Sequence, residues 1–384
     1  MANLKILHLL SNWKWTEISE PAVDLALAQK KLGSEIEFVC GRGPADRSKR
    51  RVDYNARLKK LDPIHVLEMP KHFRVLAAYK DYVNLRPLLK RFQPDVIHCH
   101  KSNAHLMGFL SRGISKSPVI VRSCYDFEGP QHGFRSRLLD KLGTGGMVVI
   151  NEQSRQAAIA RNGLAPGTVQ VIEPGIDLDR FSPQRKISED LRSFGLTPDS
   201  FVVGVVSRIR DSRRLDIPLK AIEALGKAFP QLQMLLVGRG RDGAVEKVVE
   251  QPAREMGIRD RIVMAGYCEG DRLVAAYRAM DVLVYASAGS DKSCRTVREA
   301  MAAGIPVIAV GAGFLPELIE DHSTGRLMEL SWESLARILE ELIPDEVKLR
   351  EMGRRALNTS IQRFSPVLQA ERTLDFYRKL LNNV

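Results

Sequence analysis

The chain has 384 residues, 44% of them apolar and 27% charged, and a formal net charge of +12. This composition suits an ordinary globular protein of two domains, and no apolar run approaches the roughly 20 residues that a bilayer span requires. The five cysteines (Cys40, Cys99, Cys124, Cys268, Cys294) are odd in number and lack a C-x-x-C pair, which argues for free thiols against a disulfide framework or a zinc site.

The opening run M-A-N-L-K-I-L-H-L-L-S-N is too short in apolar residues for a signal peptide and reads as a first strand, so the product is expected in the cytoplasm. Strands are predicted at 6–10, 35–40, 65–69, 95–98, 119–121 and 147–150, with helices between them at 22–31, 74–92 and 103–112. This alternation predicts a parallel sheet with helical crossovers. In the helix at 74–92, Leu76, Tyr79 and Val83, then Leu85, Leu88, Leu89 and Phe92, are expected to form one apolar stripe lying on the sheet, and Pro87 to kink it.

Charge is unevenly placed. Residues 1–175 hold 27 Lys and Arg against 16 Asp and Glu, whereas residues 176–384 hold 31 against 30. Clusters stand at Arg47, Lys49, Arg50 and Arg51, at Arg57, Lys59 and Lys60, at Arg86, Lys90 and Arg91, and at Arg135, Arg137 and Lys141. A basic face of this kind attracts nucleic acid or an anionic membrane. No zinc-knuckle, RNP-like or helix-turn-helix pattern accompanies it, so no nucleic-acid partner is expected.

The segment V-I-E-P-G-I-D-L-D-R-F-S-P at 171–183 marks a boundary by its prolines and glycine. The expected division is a first domain at 1–172, a second at 173–364 and a terminal helix at 365–384 returning to the first domain. The D-L-D at 177–179 has the spacing of a metal-binding pair but sits in a linker, where a helix cap or turn is the reading and no metal is assigned. The second half restarts with F-V-V-G-V-V-S-R, then L-Q-M-L-L-V-G, R-I-V-M-A-G-Y and D-V-L-V-Y-A-S, each trailed by a helical pattern. G-R-G-R-D-G at 238–243 is a literal G-x-G-x-x-G, with Asp260 downstream in the place of a ribose ligand. A dinucleotide oxidoreductase would use both, but its fingerprint belongs on the first strand of a domain, and a strand and helix precede this one.

The run D-K-S-C-R-T-V-R-E-A-M-A-A-G-I-P from Asp291 to Pro306 carries the most chemistry. It joins a strand to a helix N-terminus, whose unpaired N–H groups can hold a diphosphate, and it places Asp291 and Glu299 eight positions apart to accept from hydroxyls on either side. Two capping carboxylates are the plainer explanation of the pair taken alone. Cys294 within the run is read as a spacer, having no histidine near it in sequence.

This run, with A-M-A-A-G-I-P-V-I-A and the later G-A-G-F-L-P-E-L-I, resembles the E-x7-E signature and glycine loop of retaining family-4 glycosyltransferases, with Asp291 in place of the first Glu. The resemblance implies an α/β fold of two Rossmann-like doubly wound domains facing a central cleft, the GT-B architecture. It implies Glu299 on the ribose hydroxyls of a nucleotide sugar, Asp291 on the sugar, Arg208 and Arg213 on the diphosphate with Arg214 as a substitute, and the Arg295 and Thr296 backbone assisting. No metal or other cofactor is implied.

In the first half, D-V-I-H-C-H is similar to a family motif at a strand's carboxyl end, which makes His100 a candidate cleft residue or a structural one. Tyr125 stands where similar enzymes carry a histidine, or the register is shifted. Lys14 and Trp15 are candidate acceptor contacts or packing residues. The expected activity is retaining transfer of a sugar to a glycan acceptor, lipid-linked or lipopolysaccharide, at the inner face of the membrane. The departures from the pattern keep a second reading open, a catalytically silent nucleotide-sugar sensor or membrane-surface scaffold.

Overall fold

The computed structural model describes residues 3–70, 72–113, 117–131, 133–187, 191–241, 243–287 and 294–382. The chain divides into two compact units, Met1–Gly175 with Ser365–Val384, and Ile176–Phe364.

The first domain runs β1 (Lys5–Leu10), α1 (Ser19–Lys31), β2 (Glu35–Gly41), α2 (Val52–Leu58), β3 (Ile64–Leu67), α3 (Val75–Phe92), β4 (Val96–His100), α4 (Ser102–Arg112), β5 (Val119–Cys124), α5 (Phe134–Gly143), β6 (Gly146–Val149), α6 (Glu152–Asn162) and β7 (Val169–Val171). The sheet is wholly parallel in the order β3-β2-β1-β4-β5-β6-β7. Helices on both faces explain why β1, β4 and β5 read as nearly continuous buried runs without alternation.

The second domain runs α7 (Leu178–Phe181), β8 (Phe201–Val206), α8 (Asp216–Leu225), β9 (Leu232–Val237), α9 (Gln251–Glu255), β10 (Ile262–Gly266), α10 (Gly270–Arg278), β11 (Val282–Tyr285), α11 (Arg295–Ala302), β12 (Val307–Val310), α12 (Leu315–Leu318), β13 (Gly325–Met328), α13 (Trp332–Leu342) and α14 (Glu346–Arg363). Its parallel sheet has the order β10-β9-β8-β11-β12-β13. The last helix, α15 (Pro366–Leu381), belongs to the first domain, where Leu374, Phe376, Tyr377 and Leu380 complete the core with Ile6, Phe38 and Val121.

Each sheet reverses its strand order once, between β1 and β4 and between β8 and β11. Ligands of open parallel sheets bind outside the carboxyl ends of the strands at such points.

The expected single stripe on α3 is corrected. Leu85, Leu88 and Phe92 are buried with Asp81, but Leu76, Tyr79 and Val83 are 79%, 68% and 47% exposed. At about 100° per residue the latter three fall on the opposite side of the helix from Asp81, so the sequence holds two apolar stripes, one facing the sheet and one facing out. Among the described residues no helix is long and apolar enough to cross a membrane.

Candidate functional site

In the second domain, β8 and β11 are hydrogen-bonded neighbours, with Val203 opposite Val282 and Gly204 opposite Leu283. Because the strands are parallel, the loop after β8 and the segment after β11 emerge side by side. The first carries Arg208, which is exposed, and Arg213, which is buried. Arg214 is held apart by a bidentate pair with Asp216 at 3.0 Å for each bond. The second leads into α11. Asp291 lies outside the described residues.

Cys294 caps α11 in a left-handed conformation (φ 46°, ψ 41°) and is buried. Arg295 and Thr296 form the first turn. One turn on, Glu299 is 5% exposed and has both oxygens engaged. Arg295 Nε donates to Oε1 at 2.7 Å, and the Tyr277 hydroxyl of α10 donates to Oε2 at 2.7 Å. Burial, then the Glu299 charge, raise the Tyr277 hydroxyl well above its ordinary pKa, so it stays a donor. These two bonds fix the carboxylate while each oxygen keeps a lone pair for a further hydroxyl, which suits a vicinal diol. Tyr277 escaped the sequence reading, since a tyrosine near a helix end carries no spacing signal. Beneath them, Arg298 is buried with its guanidinium over the Phe364 ring at 5.7 Å.

The G-R-G-R-D-G segment serves this same edge. Gly238 N donates to Gly266 O at 2.8 Å, and Ile209 N donates to Arg239 O at 3.0 Å. Gly238 has φ +151°, and a Cβ there would lie 1.8 Å from Ser207 O, so the glycine lets two backbones touch. Gly238→Ala is expected to destabilise the second domain by about 3 kcal/mol, read as a fall in denaturation midpoint. An unchanged midpoint would contradict that contact. Asp260 precedes β10 while Gly238 follows its parallel neighbour β9, so the two lie at opposite ends of adjacent strands, roughly 16 Å apart along them. They do not form a dinucleotide fingerprint. Asp177 is the N-cap of α7, its Oδ1 accepting from Arg180 N at 3.0 Å.

In the first domain Lys14 is exposed, with its ammonium 5.2 Å from the Trp13 ring centroid. Trp15 packs on the core and lies under Lys59. His100 is fully buried and Tyr125 is 8% exposed. Both belong to a closed circuit of seven side chains. Gln29 Nε2 donates to the Tyr377 hydroxyl at 3.4 Å, which leaves Gln29 Oε1 to accept from His8 Nε2 at 2.8 Å. His8 Nδ1 then accepts from His100 Nε2 at 3.0 Å, and His100 Nδ1 from the Tyr125 hydroxyl at 3.0 Å. In the other direction Tyr377 donates to His98 Nδ1 at 2.5 Å and His98 Nε2 donates to Ser123 Oγ at 2.7 Å. Ser123 bonds to the Tyr125 side chain and closes the ring.

The orientation of one amide thus sets the tautomer of three neutral imidazoles. Burial lowers His8 to about 4 and holds His98 and His100 well below the usual histidine range. The three imidazoles are close enough to share a metal ion. All six of their ring nitrogens are already in hydrogen bonds, so an ion there would break the circuit.

Comparison with known proteins agrees with the fold of two parallel-sheet α/β domains. Residues 186–359 match the family model Glycosyl transferases group 1, and residues 22–180 match Glycosyltransferase Family 4. The chain is 28% identical over 310 residues to a D-inositol 3-phosphate glycosyltransferase of Saccharomonospora viridis, covering 75% of this chain and 70% of the relative. With that of Segniliparus rotundus it shares 32% over 219 residues, covering 56% of this chain and 48% of the relative. Among solved structures it is similar to a glycosyltransferase from Rickettsia africae, with TM-score 0.83, 17% identity and full coverage of both chains. It is similar also to Anabaena Alr3699/HepE in complex with UDP, with TM-score 0.78, 21% identity, and 97% and 99% coverage.

Proposed function

The chain belongs to the family-4 glycosyltransferases of GT-B fold, and from that premise we propose that it moves a sugar from a uridine diphosphate sugar to a membrane-borne acceptor, with retention and without a metal. The observation that carries the donor half is the held Glu299 carboxylate at the start of α11, beside the arginine loop that follows β8. In this reading Glu299 accepts from the ribose hydroxyls, the Arg295 and Thr296 amides meet a phosphate, and Asp291 accepts from the sugar.

Breaking the sugar–phosphate bond leaves charge on the departing nucleotide, and the Arg208 and Arg213 guanidinium groups neutralise it. Retention follows from attack on the face the leaving phosphate vacates, which needs no protein nucleophile. The base is chosen because Anabaena HepE, of the same fold, has been crystallised with UDP and with UDP-glucose. The lipid-linked acceptor is also anionic: the phosphorylated substrate in the name of the similar D-inositol 3-phosphate glycosyltransferases and the basic first domain both favour negative charge. The reaction is placed at the cytoplasmic face of a membrane.

Titration of the full chain by calorimetry with UDP, GDP, ADP and NAD, followed by hydrolysis of sugars carried on the nucleotide that binds, tests the reading. UDP binding with slow hydrolysis, the released sugar keeping its anomeric configuration by NMR, is the expected result. Binding without turnover on any acceptor would favour the silent sensor, and binding of NAD alone would overturn both.

A further inference from the structure

We propose that the outward faces of α3 and α5 form a docking surface for an anionic lipid bilayer; this rests on the reading that the acceptor is membrane-borne, and it names the part of the chain that meets the membrane. Helices α3, α4 and α5 follow one another across one face of the first sheet, with α4 packed against both neighbours. Opposite its buried side, α3 presents Leu76, Tyr79 and Val83. On α5, Phe134, Leu138 and Leu142 stand at i, i+4 and i+8, on the side away from buried Asp140, and are 80%, 47% and 59% exposed. Side chains of this size, repeated at helical spacing on the solvent side, have no role in the core.

Charge selects the occupant. Lys80, Arg86 and Lys90 of α3 and Arg135, Arg137 and Lys141 of α5 are exposed. The acidic residues of α3, α4 and α5 are two, Asp81 and Asp140, and both are turned inward. Asp81 accepts from the Glu68 and Met69 amides at 2.9 Å each, and Asp140 accepts from Arg122 at 2.5 Å and Asn162 at 2.7 Å. The outward faces therefore mix large apolar groups with cations and show no carboxylate.

The whole net charge of the chain lies in this domain. It holds 30 Lys and Arg against 18 Asp and Glu, while residues 176–364 hold 28 of each. An interfacial helix needs apolar side chains among cations, the first to enter the acyl boundary and the second to meet phosphates. A second copy of the same cationic face would be repelled.

The test is sedimentation of the full chain with vesicles of phosphatidylcholine alone or mixed with phosphatidylglycerol. Binding is expected with phosphatidylglycerol, weakening as salt rises. The pair Leu76→Ser and Phe134→Ser, and separately the pair Arg135→Glu and Arg137→Glu, should each lower binding by about tenfold or more. UDP affinity should be unchanged in both.

Equal binding to neutral vesicles, or binding that both pairs retain, overturns the surface, as does self-association that the serine pair abolishes. A chain that binds UDP but no vesicle loses only the surface. One that binds vesicles but no nucleotide keeps the surface and loses the transferase reading.

Discussion

Taking the protein from pH 7 to about pH 4.5 is expected to unfold the first domain while the second remains folded. Among the described residues four imidazoles are buried in the first domain, His8, His98, His100 and His105, and burial is the main cause that keeps each of them neutral. The polar groups bonded to the first three are Gln29, Ser123, Tyr125 and Tyr377, none of them a carboxylate, whereas His105 faces Asp140 at 3.7 Å. A histidine whose folded pKa is depressed binds protons more readily in the unfolded chain. Its contribution is therefore full above pH 6.5 and is lost as the pH falls towards the folded value, about 4 for His8. That interval is worth about 3 kcal/mol for His8 alone, against a total stability on the order of 10 kcal/mol for a domain.

One group opposes this. Burial raises Asp81 to about 6, so its carboxyl becomes easier to accommodate in acid. A single carboxylate does not offset four imidazoles. The second domain has one histidine, His322, which is exposed. Its carboxylates with a lowered pKa are Glu341, held at about 2 by Arg326 and Lys348, and the surface Glu351, held at about 2 by Arg354 and Arg355, so their loss falls in a lower window, below about pH 4.5. Trp13 and Trp15 report on the first domain and Trp332 on the second. Fluorescence of Trp332→Phe should change between pH 6.5 and 4, and that of the Trp13→Phe, Trp15→Phe variant only below it. A single common transition would refute the assignment.

Glu299→Ala is expected to weaken nucleotide binding by about 100-fold or more, the loss of two charge-assisted hydrogen bonds. The same change strips acceptors from the buried Tyr277 hydroxyl and from Arg295, so it should also destabilise the second domain by about 2 kcal/mol. Glu299→Gln separates the two effects, since an amide oxygen can still accept from Tyr277. Thermal stability should then largely recover while affinity stays low, because the charge is missing. Tyr277→Phe, acting on the carboxylate's position, should weaken binding less than Glu299→Ala. A Glu299→Ala protein with a lowered midpoint and unchanged UDP affinity would make the residue structural only.

The part of the site that the sequence made legible is local. Strand β11, the start of α11 and Glu299 lie within one continuous stretch, where turn chemistry and helix spacing act between near neighbours. What it did not show depends on distance. Tyr277 reaches Glu299 from another helix, and the circuit joins Gln29, Ser123 and Tyr377 with the three histidines across almost the whole chain. No spacing rule links such positions. Asp260 misled for the same reason, because a count of residues from Gly238 does not say to which end of the sheet the chain has returned. The α3 pattern misled differently. Its two stripes are each regular, and only the phase between Val83 and Leu85 separates them.

The Tyr377 contact also sets an order of events during synthesis. The first domain is begun by the opening residues, yet Gln29 and His98 gain their Tyr377 partner only when residues 366–381 have been made, after the entire second domain. At about 5–20 residues per second, the 206 residues from Ile176 to Leu381 take roughly 10–40 s. Over that interval the nascent first domain waits with its core open beneath Ile6, Phe38 and Val121. Of these two domains, the one whose synthesis starts earlier is thus completed later.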